Sequence, residues 1–163
     1  MSQLIVTMGI SGSGKSLYSR DMESRGFIRV CMDDLRKLYT GSISDQTQNS
    51  RVADSAFTIT EFLLSQNKNV IFDSTATRSD TRKTLLKIAK AHNADTKLVV
   101  FMDSTNMDLC RSRVAKDQDK KIDRSDTITD STILQRQHDA FQSSLKAIGT
   151  EGWDTIADDG GVG

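Results

Sequence analysis

The octapeptide Gly9-Ile10-Ser11-Gly12-Ser13-Gly14-Lys15-Ser16 constrains this chain more than any other feature. It follows Leu4-Ile5-Val6-Thr7-Met8, a nearly continuous apolar run rich in β-branched residues, as a parallel strand buried on both faces requires. After it, Leu17, Tyr18 and Met22 recur at helical spacing until Gly26, which predicts a helix from Lys15 to about Arg25. Strand, glycine turn and helix form the context in which G-x-x-x-x-G-K-[ST] has a chemical meaning. Glycines let the turn wrap closely, and backbone N–H groups at the helix N-terminus face phosphate oxygens. The lysine reaches the β and γ oxygens, and the following hydroxyl ligates Mg²⁺. A Gly/Ser-rich connector is the plain alternative, and the ordered context argues against it.

The rest of the chain repeats the alternation of strand and helix. Phe27 to Met32 reads as a strand, with Asp33 where helix N-caps are usually found, ahead of Leu35, Leu38 and Tyr39. Gly41 to Arg51 is polar and without period, a loop or the start of a long helix carried on by Val52, Phe57, Ile59, Phe62, Leu63 and Leu64. Val70-Ile71-Phe72 is a compact strand delivering Asp73, Ser74 and Thr75, and a helix is expected from about Ser79 to Ala91. Lys97 to Met102 is the next strand and ends in Asp103. Helices are expected from about Asn106 to Lys116 and Asp130 to Ile148, with Trp153 to Ile156 as an edge strand. This pattern predicts an α/β fold, a parallel sheet with helices on both faces, whose ligands bind at the carboxyl ends of the strands. Three of those ends carry aspartate: Asp33, Asp73 and Asp103.

One domain over residues 1–157 is expected, with a basic lid at about 113–128 and a flexible tail at 158–163. The 22 Lys plus Arg balance 22 Asp plus Glu, which argues against a uniformly basic nucleic-acid coat protein and leaves room for a local basic groove. No apolar run approaches the ~20 residues of a membrane span, so a cytoplasmic protein without membrane contact is expected, in the host cytoplasm if the chain is phage-encoded. Cys31 and Cys110 lack the spacing of a zinc or redox motif and read as reduced, buried thiols. His92 and His138 have no partner that suggests catalysis.

The motif makes Ser11, Gly12, Ser13, Gly14, Lys15, Ser16 and Leu17 the nucleotide-binding set, with Ser16 as the metal ligand. Asp33, one strand over, is placed to accept the proton of an acceptor hydroxyl, while Lys15 stabilises the transferring group. Helix capping is its plain alternative, a role that Asp34 suits as well. Arg36 lies in the first turn of a helix, where the dipole disfavours a cation, so an anionic partner such as an acceptor phosphate would explain it. A solvated surface arginine is the alternative. Asp73 is read as holding Mg²⁺ through water or orienting Arg36, and Thr75 as touching the acceptor, against ordinary turn chemistry. The run Arg111, Arg113, Lys116, Lys120, Lys121 and Arg124 reads as a lid over the triphosphate rather than a solvated face. Arg113 is its phosphate contact and Arg124 a further nucleotide contact.

With the glycine motif, Met32-Asp33-Asp34-Leu35-Arg36, Phe72-Asp73-Ser74-Thr75 and Cys110-Arg111-Ser112-Arg113 together, the chain resembles the kinase domain of bacteriophage-type polynucleotide 5′-kinases over residues 3 to about 145. The resemblance implies a P-loop kinase fold with ATP and Mg²⁺ as cofactors, Asp33 as general base and Arg36 holding the phosphate 3′ of the accepting nucleoside. It also implies roles for Asp73, Thr75 and Arg113. The family's lid reads Arg-Asn-x-x-Arg, whereas this chain has Arg113-Val114-Ala115-Lys116-Asp117, so its second arginine passes to Arg111 or Arg124. No phosphatase domain follows the kinase segment, and a bifunctional end-healing enzyme in one chain is not expected.

The expected activity is transfer of the γ-phosphate of ATP to a nucleic-acid hydroxyl, first of all a polynucleotide 5′-OH. Arg36, Arg51, Arg78, Arg82 and Lys83 are the cations from which an acceptor groove would be assembled. The nearest alternative is a phage DNA kinase acting on the hydroxymethyl group of 5-hydroxymethyluracil, with the base flipped or single-stranded. A small-molecule kinase for nucleosides or nucleotides comes next, and a non-catalytic NTP switch last, because a switch leaves Asp33 and Arg36 without a task. Oligomeric state and a preference for DNA or RNA are not encoded in a readable pattern.

Overall fold

The structure, a computed structural model, describes residues 1–43, 45–119 and 131–159. Five strands form one wholly parallel sheet in the order β2-β3-β1-β4-β5: β1 (Gln3–Met8), β2 (Ile28–Cys31), β3 (Val70–Asp73), β4 (Asp95–Val100) and β5 (Thr155–Asp158). The helices are α1 (Lys15–Ser24), α2 (Met32–Thr40), α3 (Asn49–Ser65), α4 (Ser79–Ala91), α5 (Met107–Asp119) and α6 (Ser131–Leu145). Strand β1 is central, and the chain builds the sheet first to one side of it and then to the other. The carboxyl end of β1 is therefore where a doubly wound sheet opens a crevice.

Alternation along β1 divides the core. Leu4, Val6 and Met8 pack with Phe72, Leu98 and residues of α3, α4 and α6, whereas Ile5 joins Ile71, Val99 and Phe101 against Tyr18 and Met22 of α1. Phe72 is fully buried and stacks on Phe57 at a centroid distance of 5.9 Å. The buried side of α4 carries a charge: Arg82, whose side chain is 1% exposed, pairs with Glu151 at 2.8 Å and donates to the Ala76 carbonyl and Ser144 Oγ. Arg82 is thus a bolt between α4, α6 and the segment before β5. The expectation that it lines an acceptor groove is corrected, because a guanidinium with no solvent access cannot meet a nucleic acid.

Three boundaries differ from the sequence reading for local reasons. Helix α2 starts at Met32 with Cys31 in the cap position, so Asp33 lies inside the first turn, where its charge still complements the dipole. Strand β4 pairs with β1 from Asp95 to Val100, and the chain then curls into a 3₁₀ turn, Met102–Thr105, that carries Asp103. Asp158, expected in a frayed tail, closes β5 opposite Val100. Among the described residues no helix is long and apolar enough to cross a membrane. Cys31 and Cys110 are buried thiols rather than a disulfide.

Candidate active site

The segments just beyond β3 and β4 each contribute one hydrogen bond to the glycine loop. Gly9 N–H donates to the Thr75 carbonyl beyond β3 (3.0 Å), and Ile10 N–H donates to Ser104 Oγ beyond β4 (2.9 Å). Ser11 N–H donates to Gln137 Oε1 of α6 at 3.0 Å, and Lys15 Nζ donates to the Ile10 carbonyl at 2.9 Å. Gly12 has φ +81°, and a Cβ there would collide with the Cys110 carbonyl, so the loop and the backbone of α5 are in direct contact. Gly14, at φ +104°, forms the N-cap of α1 without any side-chain cap, and a Cβ there would meet only the Phe101 ring at 3.9 Å. The first-turn N–H groups of α1 therefore open onto a cradle suited to an anion.

This geometry fits a triphosphate: an uncapped helix N-terminus, a lysine at its first position and the Ser16 hydroxyl beside it. Among the described residues there is no group of three His, Cys, Asp or Glu that would hold a metal alone. Leu17 is 71% exposed, which limits its contribution to the backbone. Ser13 Oγ is buried without a partner in the loop.

On the acceptor side, Arg36 donates through NH1 to Asp33 Oδ1 at 2.7 Å and to the Ile43 carbonyl at 3.4 Å, and through Nε to Asn49 Oδ1 at 3.1 Å. It is only 8% exposed, which corrects the surface-arginine alternative, and its charge sits beside the Asp33 carboxylate. The expected Asp73–Arg36 contact is not formed. Asp73 is 6% exposed and pairs with Arg29 of the neighbouring strand, at 2.7 Å to NH2 and 2.9 Å to Nε. Arg29 stands opposite Ile71 in the ladder, so its side chain leans along β2 to the residue two positions beyond. Burial alone would lower the Arg29 pKa, but the charges of Asp73, Cys31 and Asp34 raise it instead. Burial, with Asp73 and Asp33, pushes the Cys31 thiol up to about 12. Thr75 contributes its carbonyl to the loop, and the next residue, Ala76, is held at φ +46°.

On the donor side, Arg113 of α5 donates through NH1 to the Gly12 carbonyl (3.0 Å) and to Asp103 Oδ2 (2.8 Å). The distal lid, with Lys120, Lys121 and Arg124, lies outside the described residues. Three residues of this site had no assigned role from the sequence: Arg29, Asp103 and Gln137. Arg29 was legible as a cation inside a four-residue apolar strand, and Asp103 as a strand-end carboxylate. Gln137 gave no signal, because nothing local distinguishes a glutamine on an amphipathic helix.

A family model described as AAA domain matches residues 4–144. The chain belongs to that AAA domain family. It is a P-loop kinase domain of this family, and such domains are phosphotransferases that bind ATP. Among solved structures it is similar to a chain of the Pnkp1/Rnl/Hen1 complex at 26% identity and TM-score 0.54, over 61% of this chain and 35% of that one. In a structure of the Pnkp1/Rnl/Hen1 RNA repair complex, the match has 20% identity and TM-score 0.70 over 89% of this chain and 45% of that one. A gluconokinase from Sinorhizobium meliloti 1021 matches at 20% identity and TM-score 0.56, over 96% of this chain and 82% of that one. The AAA domain chain thus spans less than half the length of the repair-complex chains. No curated protein matches it.

Proposed function

We propose that this P-loop kinase transfers the γ-phosphate of ATP to a nucleic-acid hydroxyl, most directly a polynucleotide 5′-OH, with Asp33 as general base. The observation that carries the reading is the Asp33–Arg36 pair just past the carboxyl end of β2, two strands from β1 with β3 between them rather than one strand over as expected, on the same carboxyl edge of the sheet as the glycine loop. A carboxylate accepts the proton of the attacking hydroxyl, and a buried guanidinium held by Asn49 fixes that carboxylate and adds positive charge where a nucleotide acceptor brings phosphate. A neutral sugar needs the base but brings no anion for the cation to meet. The likeness to a chain of the Pnkp1/Rnl/Hen1 complex, at 26% identity over 61% of this chain, supports this reading.

Bound Mg·ATP supplies the transferable phosphoryl group and neutralises part of its charge. Lys15, held at the Ile10 carbonyl, would meet the phosphates, Ser16 would ligate the metal, and the N–H groups at the start of α1 would hold the phosphate oxygens. Arg113 stands at the loop's rim on the opposite side from Asp33, completing the charge stabilisation. Asp73, engaged by Arg29, fixes the β2–β3 edge on which α2 presents Asp33, and Thr75 faces the acceptor next to the loop. A second reading, phosphorylation of 5-hydroxymethyluracil in DNA, uses the same residues on a flipped base.

The test is γ-labelled ATP and Mg²⁺ with three acceptors in parallel: a 5′-OH oligonucleotide, a 5′-phosphorylated oligonucleotide carrying internal 5-hydroxymethyluracil, and mixed nucleosides. Label at the 5′ end of the first is expected. Label on the second alone would move the reaction to the modified base, and label confined to nucleosides would overturn the nucleic-acid acceptor.

A further inference from the structure

The aspartate after β4 has no part in the reaction described above, yet it holds the residue that does. We propose that Asp103 is a positioning residue for phosphoryl transfer, fixing Arg113 at the rim of the glycine loop before the nucleotide binds. The inference rests on the reading of Arg113 as a phosphate contact. Both contacts of Arg113 run through a single amino group: NH1 lies 2.8 Å from Asp103 Oδ2 and 3.0 Å from the Gly12 carbonyl. Nε and NH2, the edge that meets a phosphate with two parallel hydrogen bonds, have no partner among the described residues. The ion pair and a phosphate therefore engage different donors, and Asp103 orients the guanidinium without competing for its working edge.

Asp103 is itself well held. Its carbonyl accepts from Asn106 N–H at 2.9 Å and from Cys110 Sγ at 3.3 Å, which ties the 3₁₀ turn to the first turns of α5. The next residue, Ser104, accepts the Ile10 N–H, so the turn that orients Arg113 is bonded to the loop that Arg113 serves. Side-chain exposures of 34% for Arg113 and 19% for Asp103 make this a half-shielded pair, more persistent than one in open solvent. The pair also answers an electrostatic need. Burial, then Asp158, then Asp103 raise the pKa of Asp159 at the end of β5, which marks this edge as crowded with carboxylates. Without Arg113 beside it, Asp103 would add to the repulsion of an incoming triphosphate.

The experiment is a double-mutant cycle read by the affinity of a fluorescent ATP analogue and by the rate of transfer. D103A is expected to weaken the analogue and slow transfer, each about tenfold. R113A should cost at least as much, and D103A/R113A no more than R113A alone. D103N keeps an oxygen acceptor and should recover part of the loss. If D103A lowers the unfolding midpoint, D103N replaces it in the cycle. Unchanged affinity in the Asp103 variants, or losses that multiply in the double variant, would overturn the proposal. Because the affinity cycle uses no acceptor, failure to label any hydroxyl would sink the functional reading while the cycle still decides the role of Asp103.

Discussion

Gly12 shows how much of this site depends on single atoms. Its φ of +81° lies where a side chain is strained, and the space a Cβ would need is occupied by the Cys110 carbonyl of α5. Gly12→Ala must move the loop or the helix, so we expect a loss of about 1–3 kcal/mol in stability and weaker ATP binding, measured by denaturant titration and nucleotide titration. Unchanged values in both would mean that α5 does not press on the loop. Cys31 gives a contrasting case. Burial, with Asp73 and Asp33 beside it, holds its thiol up to about 12, so it stays protonated at neutral pH and should react with a thiol reagent only on unfolding. Fast labelling of the native protein at Cys31 would contradict this placement. The burial of Cys31 was legible in the sequence, whereas the Cys110 carbonyl over Gly12 and the Asp73 carboxylate beside Cys31 come from distant parts of the chain. The loop's own chemistry was legible because eight consecutive residues encode it, whereas the Arg29–Asp73 pair needed the register of two strands 44 positions apart.

At the level of elements, the apolar runs identified β1, β3 and β4 because strands buried on both faces leave few polar residues to confuse the pattern. The ends were harder to read. Phe101 and Met102 are as apolar as the strand before them, and only the length of β1, which stops at Met8, decides that β4 stops at Val100. Helix α4 was legible in extent but not in the direction of Arg82, since helical spacing does not say whether an arginine meets solvent or a buried carboxylate. The Arg82–Glu151 pair gives a sharp test. Its side chains are 1% and 7% exposed, so Arg82→Ala strands a buried carboxylate and should cost about 3–5 kcal/mol in denaturant unfolding. A loss below about 1 kcal/mol would show that Glu151 reaches water. Burial acts to raise the Glu151 pKa, but hydrogen bonds from Arg82 and Trp153 bring it below the ordinary 4.5. The unfolded chain therefore binds this proton more readily than the native one. The pair's contribution is fully present above about pH 4.5 and is lost as pH falls through the lowered native value. Glu151→Gln should flatten the acid limb of the stability profile, and an unchanged slope there would contradict the assignment.

Across the whole molecule, the parallel sheet gathers the chemistry at one edge. The loop leaves β1 at the centre, with the proposed base Asp33 beyond β2, two strands away across β3, and Arg113 beyond β4, the adjacent strand on the other side. In the proposed reaction a donor phosphate in the loop is approached from one side by Asp33 and met from the other by Arg113. That division explains why the kinase class was readable from the sequence while the acceptor was not. The loop is local, but the proposed acceptor surface draws on α2, α3 and the segment between them, and over Gly41 to Arg51 no periodicity guided the reading. The most direct test is single-turnover transfer from ATP to a 5′-OH oligonucleotide by wild type and Asp33→Asn, with nucleotide affinity measured on the same preparations. A loss of roughly 10²-fold or more in the transfer rate with ATP affinity preserved is the predicted result. Near-normal transfer by Asp33→Asn would contradict the account, since the hydroxyl would then be losing its proton elsewhere.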